Sequence, residues 1–129
     1  MKITSKRLTF RARFRSFGYA FKGIYLLVRN EPNAWLHFFA TMAVLALSFV
    51  VQITRGEWIA VLFAIGLVWS AEAMNTAIEA LADAVSTEHN PCIGKAKDIA
   101  AAAVLFAAIT AAVIGLVIFV PYIRAAFAS

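Results

Sequence analysis

The chain has 129 residues, of which 63% are hydrophobic and 15% are charged, and its mean hydropathy is +0.81. Soluble domains are about 45–50% apolar, so this composition excludes an ordinary soluble protein and predicts a single domain in lipid. The formal net charge is +5, and eight of the 12 Lys and Arg residues lie in the first 30 positions, which hold no acidic residue. Beside apolar segments, such a basic cluster predicts contact with an anionic membrane surface and argues against a nucleic-acid partner.

Two further observations narrow the class of protein. Cys92 is the one cysteine of the sequence, which excludes an intrachain disulfide and a metal site built from several thiolates. The basic N-terminal region lacks a small-residue cleavage signature after its first apolar stretch, so we do not expect a cleaved signal peptide.

An apolar stripe runs along the N-terminal segment at spacings of three and four residues, which is the period of one helix face. Its members are Phe10, Phe14, Phe17, Phe21, Ile24 and Val28. A basic stripe follows one position later, at Arg11, Arg15, Lys22 and Arg29. We therefore predict that residues 8–29 form an amphipathic helix in the membrane interface. The alternative is a soluble amphipathic helix packed on a core, which the membrane segments that follow disfavour.

Three apolar segments come next, and each is long enough to cross a bilayer core, which takes about 20 residues of helix. They are residues 34–53, 58–83 and 99–123. The polar segment 84–98 contains Asn, Pro and Gly and is predicted to be a loop. The predicted fold class is an all-α integral membrane protein, in which one domain, residues 1–129, combines a surface helix with three transmembrane helices.

The basic residues beside these segments predict the orientation in the membrane. Eight precede the first span and two, Lys95 and Lys97, follow the second, whereas Arg55 and Arg124 lie at the opposite ends. By the positive-inside rule, the N-terminus and the loop 84–98 are cytoplasmic. The sequence thus predicts a multi-pass plasma-membrane protein.

One face of the second span carries most of the polar residues. Glu72 and Glu79 are seven residues apart, nearly two helical turns, and Asn75 lies between them on the same face. Counted from Trp58 at about 1.5 Å per residue, Glu72 lies about 21 Å and Glu79 about 32 Å along the helix. We therefore expect Glu72 within the cytoplasmic half of the membrane and Glu79 at its border, where a lipid headgroup meets water-soluble reagents.

Carboxylates in this position call for a functional explanation. An ionisable residue within a membrane span costs at least about 2.5–3.5 kcal/mol on insertion scales and by default marks function. Two carboxylates about 10 Å apart along one helix suit separate tasks, because one can take a proton from an acceptor hydroxyl while the other holds Mg²⁺. The alternative is a polar clamp between helices for Glu72 and Asn75, and Asp83 is equally consistent with a solvated helix end.

Further polar residues are expected on the same cytoplasmic side. Glu31 precedes the first span and is a candidate second metal carboxylate. Lys97 and Asp98 begin the third span, where they offer a cation for phosphate and another oxygen ligand. Phosphoryl transfer needs little beyond such positioning and charge neutralisation. The sequence contains no Gly-rich P-loop, so ATP would have to bind by another arrangement.

Two other functions remain open on these observations. An oligomeric ion or proton carrier could use Glu72 and Glu79 as a relay, although it would not explain why polar residues gather at the cytoplasmic side. A non-catalytic assembly subunit would depend on none of the carboxylates.

The motif in the second span resembles that of the prokaryotic diacylglycerol kinase family, which includes undecaprenol kinases. The matching string is Glu72-Ala-Met-Asn75-Thr76-Ala-Ile-Glu79, followed 17 to 19 residues after its last Glu by Ala96-Lys97-Asp98. Tyr19-x-x-Lys22-Gly23 and Asn30-Glu31 also lie where the family has them. The resemblance extends over residues 12–120.

The resemblance implies an ATP-dependent lipid kinase of the bacterial inner membrane, active as a homotrimer with composite sites at the subunit interfaces. It implies direct in-line transfer with Mg²⁺ to a lipid alcohol, which is diacylglycerol or undecaprenol. Glu72 would be the general base and Asn75 its positioning neighbour, while Glu31 and Glu79 would hold the metal bound to ATP. The implied ATP contacts are Tyr19, Glu31, Glu79, Glu88, Lys97 and Asp98.

The sequence departs from the family pattern beyond Glu88. The family commonly has Tyr-His after this Glu, whereas this chain has His89-Asn90, so nucleotide contacts by these two residues do not carry over. His37 matches the His of the undecaprenol kinases rather than the Glu of the enterobacterial diacylglycerol kinases, which tilts the expected acceptor toward a polyprenol. A lone His in a membrane span is, however, more often a helix-packing residue.

Overall fold

The computed structural model describes residues 10–128, and within this range the chain forms four helices. They are α1 (Phe10–Asn30), α2 (Pro32–Val51), α3 (Arg55–Val85) and α4 (Pro91–Phe127). Helices α2, α3 and α4 are each long and apolar enough to cross a membrane. The prediction of an all-helical protein with three long apolar helices is therefore confirmed.

Helix α1 covers most of the segment predicted to be amphipathic, although residues 8 and 9 of that prediction lie outside the described range. Its phenylalanines are exposed in the single chain, with Phe10 85% and Phe14 76% accessible. The helix contacts α2 and α3, and near its C-terminal end Leu27 is buried. Its placement in a membrane interface stays a prediction.

The connection between α2 and α3 is a short turn with a cap on each side. Gln52 ends α2 with a φ of 54°, in the left-handed region that commonly closes a helix. Thr54 then begins α3 with a capping box. Its hydroxyl oxygen accepts a hydrogen bond from the Glu57 backbone N–H at 3.4 Å, and its own N–H donates to the Glu57 carboxylate at 2.7 Å. Such reciprocal bonds satisfy two backbone donors at the start of a helix.

The connection between α3 and α4 differs from the predicted loop 84–98, because residues 91–98 are helical. The Asn90 side chain accepts hydrogen bonds from two backbone N–H groups in the first turn of α4, and Pro91 occupies that turn. An Asn cap followed by Pro favours a helix start. Asn90 and Pro91 are therefore the beginning of a helix, and the first two turns of α4 carry Lys97 at a fixed position.

Helices α3 and α4 form an antiparallel hairpin that is closed by a polar contact at each end. Lys97 Nζ lies 2.9 Å from Asp83 Oδ1 at one end, and the Tyr122 hydroxyl donates to Glu57 Oε2 at 2.7 Å at the other. The 37 residues of α4 span about 55 Å, well beyond the roughly 30 Å of a bilayer core. The hairpin is therefore long enough for its two ends to reach the two membrane surfaces.

Most of the large apolar side chains of the single chain are exposed, and its buried core is small. The core cluster contains Ile53, Val61, Ile118 and Phe119, near the end of the hairpin that carries the Tyr122 contact. Exposed apolar residues along α2, α3 and α4 are what a lipid-facing or subunit-facing surface requires.

Candidate functional site

The buried polar residues of α3 define the candidate site. Glu72 is 2% exposed and Asn75 is 8% exposed, while many Leu and Phe side chains of the same chain are more than half exposed. Removing a carboxylate from water is costly unless it is paired. The buried carboxylate of Glu72 therefore requires a polar partner among the side chains that surround it.

Helix α2 supplies the partner of Glu72. His37 Nε2 lies 3.6 Å from Glu72 Oε2, and the imidazole is itself only 16% exposed. One turn further along the same interface, the Trp69 indole N–H donates to the Thr41 hydroxyl at 3.0 Å. The rings of His37 and Trp69 also meet edge to face, with 6.4 Å between their centroids. Two neighbouring polar contacts thus fix the register of α2 against α3 beside the buried carboxylate.

Asn75 is bound to Glu79 rather than to Glu72. Its Nδ2 donates to Glu79 Oε1 at 2.9 Å, the bond that an i, i+4 spacing permits on a helix. Its Oδ1 is buried and has no hydrogen-bond partner within residues 10–128. An unpaired buried acceptor costs about 1–3 kcal/mol, and this oxygen is free to accept a hydrogen bond from a bound molecule.

Lys97 and Asp83 form a more exposed pair beside this face. Hydrogen bonding to Asp83 and the negative charge of its carboxylate raise the pKa of Lys97, and the charge of Glu79 adds to the effect. A raised pKa favours the charged ammonium form of Lys97. The sequence predicts that Lys97 lies near phosphate, and in the structure its ammonium group contacts Asp83 on α3.

The remaining predicted site residues are less tightly held. Glu31 is half-buried at the N-cap position of α2, but its side chain makes no capping hydrogen bond, so its carboxylate is available to a ligand. Tyr19, Glu88 and Asp98 are exposed, and in the described part of the chain no hydrogen bond or ion pair joins their side chains to Glu72 or Glu79. Within residues 10–128, no three His, Cys, Asp or Glu residues are grouped closely enough to hold a metal ion.

A cavity of about 310 Å³ opens between α2, α3 and α4 next to His37. Its wall on α4 contains four small residues, Ala108, Ala111, Ala112 and Gly115, together with Ile114 and Phe119. Thr41 is the other polar residue of its lining besides His37. The buried pair His37–Glu72 therefore stands beside an apolar space within the helix bundle.

Sequence reasoning missed two of these contacts. It weighed His37 as a helix-packing residue against a link to the lipid acceptor and left Asp83 open between the polar face and a solvated helix end. It named neither Glu72 as the partner of His37 nor Lys97 as the partner of Asp83. The depth of the two residues in the membrane could have indicated the pair, since His37 and Glu72 both lie in the half of their spans nearest the predicted cytoplasmic side. Ionisable residues at one depth in neighbouring spans often pair with each other.

Comparison with known proteins agrees with the resemblance in the motif. Residues 18–119 match the family model described as prokaryotic diacylglycerol kinase. The chain is 41% identical over 108 residues to the undecaprenol kinase of Bacillus subtilis, an alignment that covers 84% of this chain and 88% of the relative. It is 28% identical over 99 residues to the diacylglycerol kinase of Escherichia coli strain K12, covering 77% and 81% respectively. It is 29% identical over 89 residues to the diacylglycerol kinase of Haemophilus influenzae, covering 69% and 75%.

Proposed function

Because the chain belongs to the prokaryotic diacylglycerol kinase family and is a lipid kinase of the bacterial membrane, we propose that it transfers the γ-phosphate of ATP to a lipid hydroxyl in a Mg²⁺-dependent reaction. The observation that carries the proposal is Glu72, a carboxylate 2% exposed within an apolar helix, with Asn75 and Glu79 on the same face. A base at this depth can reach a hydroxyl that belongs to a membrane lipid. The alternative of an ion carrier gains no support from relatives that are named as kinases.

In the proposed reaction, Glu72 accepts the proton of the lipid hydroxyl as the hydroxyl oxygen attacks the γ-phosphorus. The bond from this phosphorus to its bridging oxygen breaks, ADP leaves, and no phosphoenzyme forms. Asn75 lies one turn closer to the cytoplasm and offers its unpaired Oδ1 to the hydroxyl or to a water beside it. Its amide group also holds Glu79 in place.

The carboxylates of Glu31 and Glu79 would hold Mg²⁺ together with phosphate oxygens. The residues fit this ion, because Mg²⁺ binds one or two carboxylates plus substrate phosphate rather than an all-protein cage. The Glu31 side chain makes no capping hydrogen bond. Glu79 accepts the hydrogen bond from Asn75 with one of its two carboxylate oxygens, Oε1. When bound, the ion would neutralise charge on the β- and γ-phosphates.

The nucleotide would lie across the cytoplasmic ends of the helices. Lys97 supplies a positive charge for its phosphates and is held beside Asp83. Asp98 follows Lys97 on α4, and Tyr19 and Glu88 are exposed on α1 and in the connection before α4. We assign all four residues to ATP binding, as the family motif implies.

We further propose that the active form is a homotrimer with its N-terminus in the cytoplasm. The exposed apolar surfaces of α2, α3 and α4 leave room for neighbouring subunits, and exposed residues such as Tyr19 could then complete a partner's site. Eight basic residues precede α2 in the sequence, which favours a cytoplasmic N-terminus. Helix α1 would lie on the inner leaflet, with its phenylalanines in the lipid and its basic residues against anionic headgroups.

The proposed acceptor is undecaprenol, and diacylglycerol is the second candidate. The identity of 41% to an undecaprenol kinase exceeds the 28% to a diacylglycerol kinase. His37, which the undecaprenol kinases share in the family pattern, stands beside the proposed base. Both acceptors are alcohols of the membrane, so the same base and metal would serve either reaction.

The experiment is a transfer assay with the purified full chain, labelled ATP and each acceptor in mixed micelles. We expect label in the lipid fraction only when Mg²⁺ is present, and we expect kcat/KM to favour undecaprenol by about tenfold or more. A preference for diacylglycerol would contradict the acceptor assignment. Transfer to neither lipid, or transfer undiminished by EDTA, would contradict the proposed reaction.

A further inference from the structure

We infer that His37 is the positioning residue for Glu72, holding one carboxylate oxygen so that the other faces the lipid hydroxyl. The inference rests on the proposed function, in which Glu72 is the base. The role of His37 differs from that of Glu72, because His37 would contact neither the lipid hydroxyl nor ATP.

A buried carboxylate requires a polar partner, and His37 is the partner that the fold provides. Within residues 10–128, the contact with His37 is the only polar contact of the Glu72 side chain. Asn75 is the nearest alternative on the same face, but its Nδ2 donates to Glu79 at 2.9 Å, and within residues 10–128 it makes no hydrogen bond to Glu72. Glu72 would otherwise be left in an apolar interface without compensation for its lost hydration.

The geometry suits a contact that tightens when substrate binds. The distance of 3.6 Å between His37 Nε2 and Glu72 Oε2 is within ion-pair range but exceeds a typical N–H···O hydrogen bond of about 2.9 Å. Catalytic hydrogen bonds are often long without substrate and shorten in the reactive complex. Because His37 approaches Oε2, the second oxygen, Oε1, remains to receive the hydroxyl proton.

The imidazole is supported by an arrangement that limits its rotation. Its ring meets the edge of Trp69 at 6.4 Å between centroids, and Trp69 is tied to Thr41 on α2 by a hydrogen bond of 3.0 Å. His37 and Thr41 are four residues apart on α2, so both contacts belong to one face of that helix. The side chain that orients Glu72 is thus itself oriented by an adjacent bond between the same two helices.

The test compares three variants of the full chain in the transfer assay. His37→Phe keeps a ring against Trp69 but removes the donor, His37→Gln restores an N–H donor without the ring, and Thr41→Val breaks the neighbouring interhelical bond. We expect His37→Phe to lower kcat about 100-fold at saturating substrates, since a misplaced reacting group costs about that much. The KM for ATP should not change, because the nucleotide binds elsewhere.

The two other variants decide between positioning and packing. We expect His37→Gln to recover most of the kcat, because a carboxamide still carries N–H donors, and we expect Thr41→Val to lose much less kcat than His37→Phe, because the His37 imidazole itself is retained. Parental kcat in His37→Phe, or an equal loss in Thr41→Val, would overturn the inference. Glu72→Gln distinguishes a failure of this inference from a failure of the proposed function. If Glu72→Gln is active, Glu72 is not the base. If Glu72→Gln is inactive and His37→Phe is fully active, only the role of His37 is refuted.

Discussion

Replacing Asn75 with Leu separates catalysis from stability at the polar face of α3. The substitution keeps a branched side chain of similar size and removes both the amide donor and the carbonyl acceptor. Loss of the hydrogen bond to the Glu79 carboxylate costs about 1.5–3 kcal/mol, the range for bonds to charged groups. Loss of the buried, unpaired Oδ1 returns about 1–3 kcal/mol. The two terms nearly cancel, so the free energy of unfolding should change little.

Activity should fall in the same variant, because the released Glu79 carboxylate and the missing Oδ1 both belong to the proposed site. We expect kcat/KM to drop by about 100-fold while the midpoint of thermal unfolding in detergent stays within a few degrees of the parent. Ser70→Ala is a matched control, since Ser70 is an exposed polar residue of the same helix. Strong destabilisation with activity retained would show that Asn75 is a polar clamp between helices, and would refute the reasoning.

Three further predictions concern other contacts of the fold. Glu79→Gln should raise the Mg²⁺ concentration needed for half-maximal activity by about tenfold or more, because a neutral amide is a weaker ligand for a hard cation; an unchanged Mg²⁺ dependence would contradict its role. Added imidazole should partly restore the kcat of His37→Ala, because the vacated space adjoins a cavity of about 310 Å³, and equal stimulation of Thr41→Val would contradict this. The backbone N–H of Thr54 and the hydroxyl of Tyr122 lower the pKa of Glu57 from its ordinary value of 4.5. Because this pKa is lowered in the folded protein, the contribution of Glu57 to stability should be present above about pH 4.5 and should be lost as the pH falls further. The thermal unfolding midpoint of Glu57→Gln should therefore depend less on acid pH than that of the parent. An unaltered acid dependence in this variant would contradict the prediction.

The sequence was sufficient for features that depend on one segment at a time. Hydropathy over about 20 residues identifies a helix long enough to cross a membrane, and three such helices are present. The place of Glu72 within an apolar run also marks it as a candidate functional residue. The start of α4 could not be predicted in this way, because Asn90-Pro91 is equally typical of a loop and of the first residues of a helix.

Contacts between segments could not be predicted in the same way. His37 meets Glu72 only because α2 and α3 pack in one register, and a shift by one residue would turn either side chain by about 100° around its helix. Asn75 has a carboxylate three residues before it and another four residues after it, and both spacings permit contact on a helix. The sequence alone does not choose between Glu72 and Glu79, whereas the packed structure directs the amide to Glu79.

The central claim is that Glu72 is the base for the lipid hydroxyl, and it is tested most directly by measuring phosphate transfer to undecaprenol by Glu72→Gln. The control is Glu57→Gln, which changes a Glu near the opposite end of the same helix. We expect Glu72→Gln to lose transfer while it remains folded and still binds ATP, and we expect Glu57→Gln to retain it. Transfer by Glu72→Gln at the parental rate would contradict the claim.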